Sequence, residues 1–265
     1  MKTGILAAVL GLLAGCVGSS SVNLNPTGIA NRIFFLHHST GEGLVMGGDV
    51  RGVVNAYNTA HGTSFEFWDH EYNSQGLRNA SGSLTGTNFA IPGDNTDTYG
   101  LYQLWTSSEA GWTASRNQIL NNFRVISFKS CFPNSAITDD AMLNEYKTQY
   151  LAMRDVFDRH TDKVFVVMSP PPLHRLATNA TEAANARAFA TWLASDTYLA
   201  GHSNVVCYNL FDSLAHPDDG SDAANRLRYE YEGGHNDSDS HPNATANQTV
   251  GPLMVQALLQ VAVNH

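Results

Sequence analysis

Cysteine is scarce in this chain, with three in 265 residues. That excludes a disulfide-dense scaffold. Charge is scarce too: charged residues make up 15%, against roughly 25% in an ordinary domain. A disordered acidic chain and a coiled coil are thereby excluded. Positive charge is the scarcer sign, with 15 Lys and Arg against 24 Asp and Glu, a formal net charge of −9. With no Lys/Arg stripe, the chain is a poor candidate for gripping a nucleic-acid backbone. Long apolar runs are missing, since Ile5 to Leu13 is too short to span a bilayer. There is no internal repeat, no His-Glu-x-x-His helix, no P-loop and no Gly-x-Gly-x-x-Gly after a strand. What is present is 43% hydrophobic residues, enough for a core, in a length that a single α/β domain often reaches.

Residues 1–16 read MKTGILAAVLGLLAGC. Lys2 precedes a short apolar stretch that ends in Ala14-Gly15-Cys16. This resembles a bacterial lipoprotein signal, which implies removal of residues 1–15 and acylation of Cys16. The expected organisation is a signal at 1–15, a polar tether at 16–30 and one domain at 31–265. The resemblance implies a lipid-anchored protein of the bacterial cell envelope, with Val17 pointing to the outer membrane or an exported surface. The membrane is then reached through the anchor alone. Cys131 and Cys207 sit in apolar segments and read as buried free thiols, with a disulfide in an oxidising envelope as the alternative.

Arg32–Leu36 (RIFFL), Ser64–His70, Arg124–Phe128, Val164–Met168 and Asn204–Tyr208 read as strands. Helices are expected over Leu44–Tyr57, Asp139–Arg159, Thr181–Ala194 and Ala246–Val263. Residues 73–115 are rich in Gly, Asn and Thr and are expected to form a long loop with one short helix. The alternation predicts a three-layer, doubly wound, flavodoxin-like α/β fold: a parallel five-stranded sheet with helices on both faces. In such a sheet the chemistry lies beyond the carboxyl ends of the strands.

Four loops would meet at that edge. They carry His37-His38-Ser39-Thr40-Gly41, Asn73-Ser74-Gln75-Gly76, Lys129-Ser130-Cys131-Phe132-Pro133-Asn134-Ser135, and the stretch His235 to Asn243. A serine hydroxyl is a weak nucleophile until a histidine takes its proton. The histidine in turn needs an orienting partner. A tetrahedral oxyanion needs fixed donors, which the N–H groups of Ser39 and Gly76 and the amide of Asn134 can supply.

The order of a serine after the first strand, then a glycine, an asparagine and a late His-Pro resembles the SGNH (GDSL-type) hydrolase superfamily. His37-His38-Ser39 stands where that family usually has Gly-Asp-Ser, so the likeness is to a divergent branch. Gly76 has rivals in Gly82 and Gly86. Asn134 matches the family asparagine, and His241-Pro242-Asn243 matches the terminal His-Pro. The likeness covers roughly residues 31–263. It implies an esterase without a cofactor, cleaving short acyl esters, O-acetyl groups of carbohydrates among them, through an acyl-enzyme. Ser39 would be the nucleophile and His241 the base. The usual acid position, three before the histidine, holds Ser238. Asp239 is the assignment preferred on the pattern of relatives with Asp-x-His, and Asp237 or a backbone carbonyl are the alternatives.

Plainer readings stand beside these. Ser39 also fits a helix N-cap, Asn134 a turn and Gly76 a plain turn glycine. His37 and His38 read as structural, and Lys129 as a solvated strand end. Tyr99, Tyr102, Trp105 and Trp112 either stack on sugar or cover the core. His235, Asp237, Asp239 and His241 alternate as metal ligands would, although four ligands from so short a stretch make poor tetrahedral geometry. A polysaccharide O-acetyltransferase, and a non-catalytic glycan-binding lipoprotein on the same fold, are the competing functions. Oligomeric state is not legible.

Overall fold

The computed structural model describes residues 26–95 and 97–265. The signal, Cys16 and most of the tether lie outside the described residues, and a 3₁₀ turn over Pro26–Asn31 leads into the first strand. The strands are β1 (Arg32–Leu36), β2 (Glu66–His70), β3 (Leu77–Arg78), β4 (Val125–Lys129), β5 (Val164–Met168) and β6 (Val205–Tyr208). They form one sheet in the order β3-β2-β1-β4-β5-β6. All neighbours are parallel except β2 and β3.

β1, β4 and β5 are buried at every residue because both faces are covered, and most of those residues are apolar. Alternate side chains divide the core. Phe34, Leu36, Ile126, Phe128, Phe165 and Val167 face one way. They pack on α3 (Thr98–Thr106), α4 (Ala110–Asn122), α5 (Asp140–Phe157) and α6 (Ala180–Leu193). Ile33, Phe35, Phe67, Val125, Val166 and Met168 face the other way. There α2 (Val50–His61), α8 (Leu210–Leu214) and α9 (Ala244–Asn264) cover them, α7 (Asp196–Leu199) lying between α6 and β6. The three-layer expectation holds, and no described helix is long and apolar enough to cross a membrane.

The differences have physical causes. Among the described residues the sheet has six strands instead of five: β3 is a two-residue antiparallel edge, too short to carry a periodic pattern. The expected helix over Leu44–Tyr57 is two pieces, a π segment at Gly43–Gly47 and α2, separated by the left-handed Asp49, whose side chain caps α2. A short α1 (Ser39–Glu42) leads directly into the π segment. The long loop at 73–115 contains α3 and the start of α4, because Leu101, Leu104 and Trp105 are buried deeply enough to override weak local propensity.

Leaving out β3, the parallel strands run second, first, third, fourth, fifth. The winding therefore reverses at β1, and a crevice opens between the carboxyl ends of β1 and β4. The segments after those two strands are His37–Ser39 and Ser130–Ser135.

Candidate active site

His38 is the N-cap of α1, in extended conformation, so Ser39 is the first helical residue and not the cap. The Ser39 hydroxyl donates to Nε2 of His241 at 2.7 Å. Nδ1 of His241 donates to Oδ1 of Asp239 at 2.6 Å. A carboxylate only accepts, so the proton sits on Nδ1, and Nε2 is left as the acceptor facing the serine. Asp239 also accepts the His241 backbone N–H at 3.1 Å. Partial burial pushes the Asp239 carboxyl up, but these bonds and the imidazole hold it below the usual carboxylate range. Asp237 does not reach the imidazole in this way: its Oδ1 accepts the backbone N–H of Asp239 and shapes the turn.

The His241 loop is pinned from several sides. The Asn243 side chain accepts from Ala246 N–H and so caps α9, while its Nδ2 donates to the carbonyls of Glu230 and Glu232. The buried Ser240 hydroxyl accepts the backbone N–H of His174 at 2.9 Å. Glu232, fully buried at its carboxylate, gathers His174, Arg175 and His235. Phe132, beyond β4, sets the His241 ring edge-on at 4.9 Å. These supports went unread in the sequence because their partners are far apart along the chain.

Asn134 lies in the 3₁₀ turn Phe132–Ser135, which also carries the ring that packs on His241. Its Oδ1 accepts from Thr98 N–H at 3.2 Å, which fixes which end of the amide is nitrogen. Gly76 is different. Its N–H donates to the Tyr72 carbonyl at 2.9 Å. Its φ is 76°, and a Cβ there would meet the Thr87 carbonyl oxygen at 2.5 Å. Gly76 is a turn glycine whose N–H is already committed, so its assignment as an oxyanion donor is corrected.

Beneath α1 lies a set of buried charges drawn from segments far apart along the chain. His37 reaches Asp69, Asp69 is paired with Arg51, and Arg78 pairs with Glu71 at 2.7 Å. For Asp69, burial works upward, while the hydrogen bond and charge of His37, with Arg51, hold it below the usual range. His38 sits beside the serine, Nδ1 3.4 Å from Oγ. Burial, then Lys129, His37 and His241, push its imidazole down to about 4. It is neutral at pH 7, and Ser39 lies closer to His241.

Lys129 is fully buried instead of solvated, with Nζ donating to the Ser130 carbonyl at 3.3 Å. Burial pushes the ammonium down to about 8 from 10.5. Below pH 8 the group is protonated in both folded and unfolded chain, so the burial penalty is felt in full. Above pH 8 the folded protein sheds the proton and the penalty fades until 10.5. Lys129→Met should therefore be more stable than the parent at pH 7 by about 3 kcal/mol. The gain should shrink across that alkaline window, as measured by denaturant unfolding at stepped pH.

The alternating His and Asp residues do not converge: His235 is spent on Glu232, and Asp239 on His241. No group of metal-ligating side chains appears among the described residues. Trp105 is buried against Phe157 and Phe165 and belongs to the core, whereas Tyr99 is exposed. Cys131 and Cys207 are free thiols, the first buried and the second half-buried. An open cleft of 520 Å³ borders the Ser39–His241 pair, with Thr40, Glu42, Met46 and Pro242 on its walls.

No protein-family model matches the chain, and no curated protein does. Among solved structures it is similar to a candidate acylhydrolase from Bacteroides fragilis, at 12% identity over 88% of each chain with a TM-score of 0.48. It is also similar to a GDSL-like lipase from Bacteroides thetaiotaomicron, at 10% identity and a TM-score of 0.49. That likeness covers 87% of this chain and 89% of the other.

Proposed function

We propose that this chain is a serine-dependent carboxylic ester hydrolase of the SGNH type, acting on short acyl esters. The observation that carries the reading is the continuous relay from Ser39 through His241 to Asp239, at 2.7 and 2.6 Å. Among the described residues lining the cleft, no other set places a nucleophile and a base in line with an orienting carboxylate.

In this reading Ser39 Oγ attacks the ester carbonyl carbon while His241 Nε2 takes the hydroxyl proton. The carbonyl electron pair moves onto oxygen and forms the tetrahedral oxyanion. Ser39 N–H and the Asn134 amide are the donors assigned to it. The intermediate collapses, the alcohol leaves with the proton from His241, and an acyl-serine remains. Water then repeats the sequence, giving its proton to His241, and the carboxylic acid is released. Asp239 holds the Nδ1–H tautomer and offsets the transient imidazolium.

The cleft supports a short acyl group. It is open, and Met46 and Pro242 are the apolar residues on its wall. A long alkyl chain needs far more apolar lining to leave water, at about 0.8 kcal/mol per CH₂. An acetyl group needs little. O-acetylated carbohydrate at an envelope surface is the substrate class favoured by the lipoprotein-like leader.

The test is labelling with a fluorophosphonate, followed by trypsin and mass spectrometry. The adduct should lie on the peptide 33–51, at Ser39. Labelling elsewhere, or none in protein that hydrolyses a short ester, would remove Ser39 as nucleophile.

A further inference from the structure

His37 stands two residues before Ser39, and its ring contacts Asp69 on β2 and Phe35 on β1. It is fully buried, 4.8 Å from the Phe35 ring. Nδ1 lies 2.9 Å from the His38 carbonyl oxygen, and Nε2 lies 3.1 Å from Asp69 Oδ2. A carbonyl and a carboxylate are both acceptors, so both ring nitrogens donate. Asp69 is held from its other oxygen by Arg51, and Arg78 stands 3.8 Å away. The first turn of α1 lies directly on the His37 ring. A Cβ added at Gly41 would fall 2.3 Å from His37 Cβ and 2.8 Å from Nδ1. Only glycine permits that approach, so the Gly41 of the His-His-Ser-Thr-Gly run is tied to His37.

The carbonyl that His37 holds belongs to the same peptide unit as the Ser39 N–H. None of the described peptide bonds is cis. In a trans unit the N–H points opposite to the C=O, so fixing the oxygen fixes the direction of the Ser39 N–H. The same oxygen also accepts Glu42 N–H at 3.1 Å. Both of its lone pairs are therefore engaged. Hydrogen bonds to a carbonyl draw electron density from the amide and strengthen its N–H as a donor, because linked bonds polarise one another. A donor from an ion-paired imidazole does so more strongly than a neutral one.

We propose that His37, held by Asp69 and Arg51, is a positioning residue that aims and polarises the Ser39 N–H as an oxyanion donor. The proposal deepens the esterase reading above and rests on it for the identity of the reaction. His37 touches neither the hydroxyl nor the substrate. It acts through one peptide group, and its contribution falls on the transition state, where charge develops on the carbonyl oxygen.

Two substitutions separate the ring's two bonds. His37→Asn places an amide nitrogen near the position of Nδ1 and keeps the bond to His38. His37→Gln places one near Nε2 and keeps Asp69 while losing the carbonyl. With a short ester, His37→Gln should lower kcat by about 10- to 100-fold with KM changed less than about threefold, a fraction of what removing a whole oxyanion donor costs. A boronic acid that forms a tetrahedral oxyanion on the serine should lose affinity in parallel, whereas acetate should not. His37→Asn should recover most of both. Equal losses in the two variants, or a change confined to KM, would overturn the proposal.

A measurement on the unaltered protein does not depend on turnover or on either variant folding. With ¹⁵N in the His37 ring and ¹³C in the His38 carbonyl, NMR should show scalar coupling across the Nδ1–H···O=C bond. No coupling would overturn the proposal. If the protein hydrolyses no ester but the coupling is present, the positioning geometry stands and the esterase reading is the part at fault.

Discussion

Ser39→Ala should lower kcat for a short ester by about 10⁴- to 10⁶-fold while leaving the fold untouched. Removing the nucleophile of a triad leaves only what the oxyanion donors and binding contribute. The structural side of the prediction is equally specific. Ser39 makes no capping bond, since His38 occupies the cap position and no side chain caps α1. Its hydroxyl bonds to His241 and, more weakly, faces His38. Loss of the hydroxyl at a partly exposed position should shift stability by no more than about 0.5 kcal/mol. Steady-state kinetics and thermal unfolding on the same preparation check both halves. A serine that merely capped a helix would give the reverse pattern, a destabilised protein with normal turnover.

Asp69→Ala should have the largest effect on stability, about 3–5 kcal/mol. The carboxylate is almost wholly buried and is bound by His37 and Arg51, with Arg78 nearby. Taking it away leaves Arg51 largely buried without its ion-pair partner and the buried His37 ring without its acceptor, which costs far more than the pair itself contributes. The effect should depend on acid in a defined direction. The Asp69 carboxyl is held below its ordinary 3.8 in the folded protein. Its contribution is therefore complete above the ordinary value and is lost as pH falls through the lower, folded one. The parent should lose stability over that acid range, and Asp69→Ala should lose less. Urea unfolding at neutral pH and below pH 4 checks the sign. Because Asp69 also holds His37, the surviving folded protein should turn over more slowly as well.

Much of the architecture could be read from residues alone. β1 and β5 fall where continuous apolar runs predict them, since a strand covered on both faces needs no alternation. The long amphipathic helix α5 begins at Asp140 with Asp139 as its cap, as its acidic start suggests. The loops that meet at the sheet edge were legible for a topological reason: parallel strands joined by helices put their carboxyl ends on one side. Ser39, Asp239 and His241 are brought together there, and Asn134 lies in a turn packed on the same imidazole.

What was hidden depended on three-dimensional neighbours. Gly76 looks in sequence like any turn glycine, and only its committed N–H removes it as a donor. Lys129 ends a strand, where lysines usually reach solvent, yet it is completely buried. Arg51, Asp69 and Arg78 come from a helix and two strands with no shared periodicity. One signal was available: Asp69 and His70 end β2, polar groups on a strand expected in the sheet. Such groups are buried only when paired.

The most direct measurement is to trap the acyl-enzyme. A short ester is mixed with the protein, quenched in acid within the first turnover, and the digested chain is mapped by mass spectrometry. The acyl group is expected on Ser39, absent from Ser39→Ala, and much slower to appear when His241 is replaced by Ala. An acyl group found on another residue, or ester cleaved at full rate with Ser39 never acylated, would contradict a serine whose proton passes to His241.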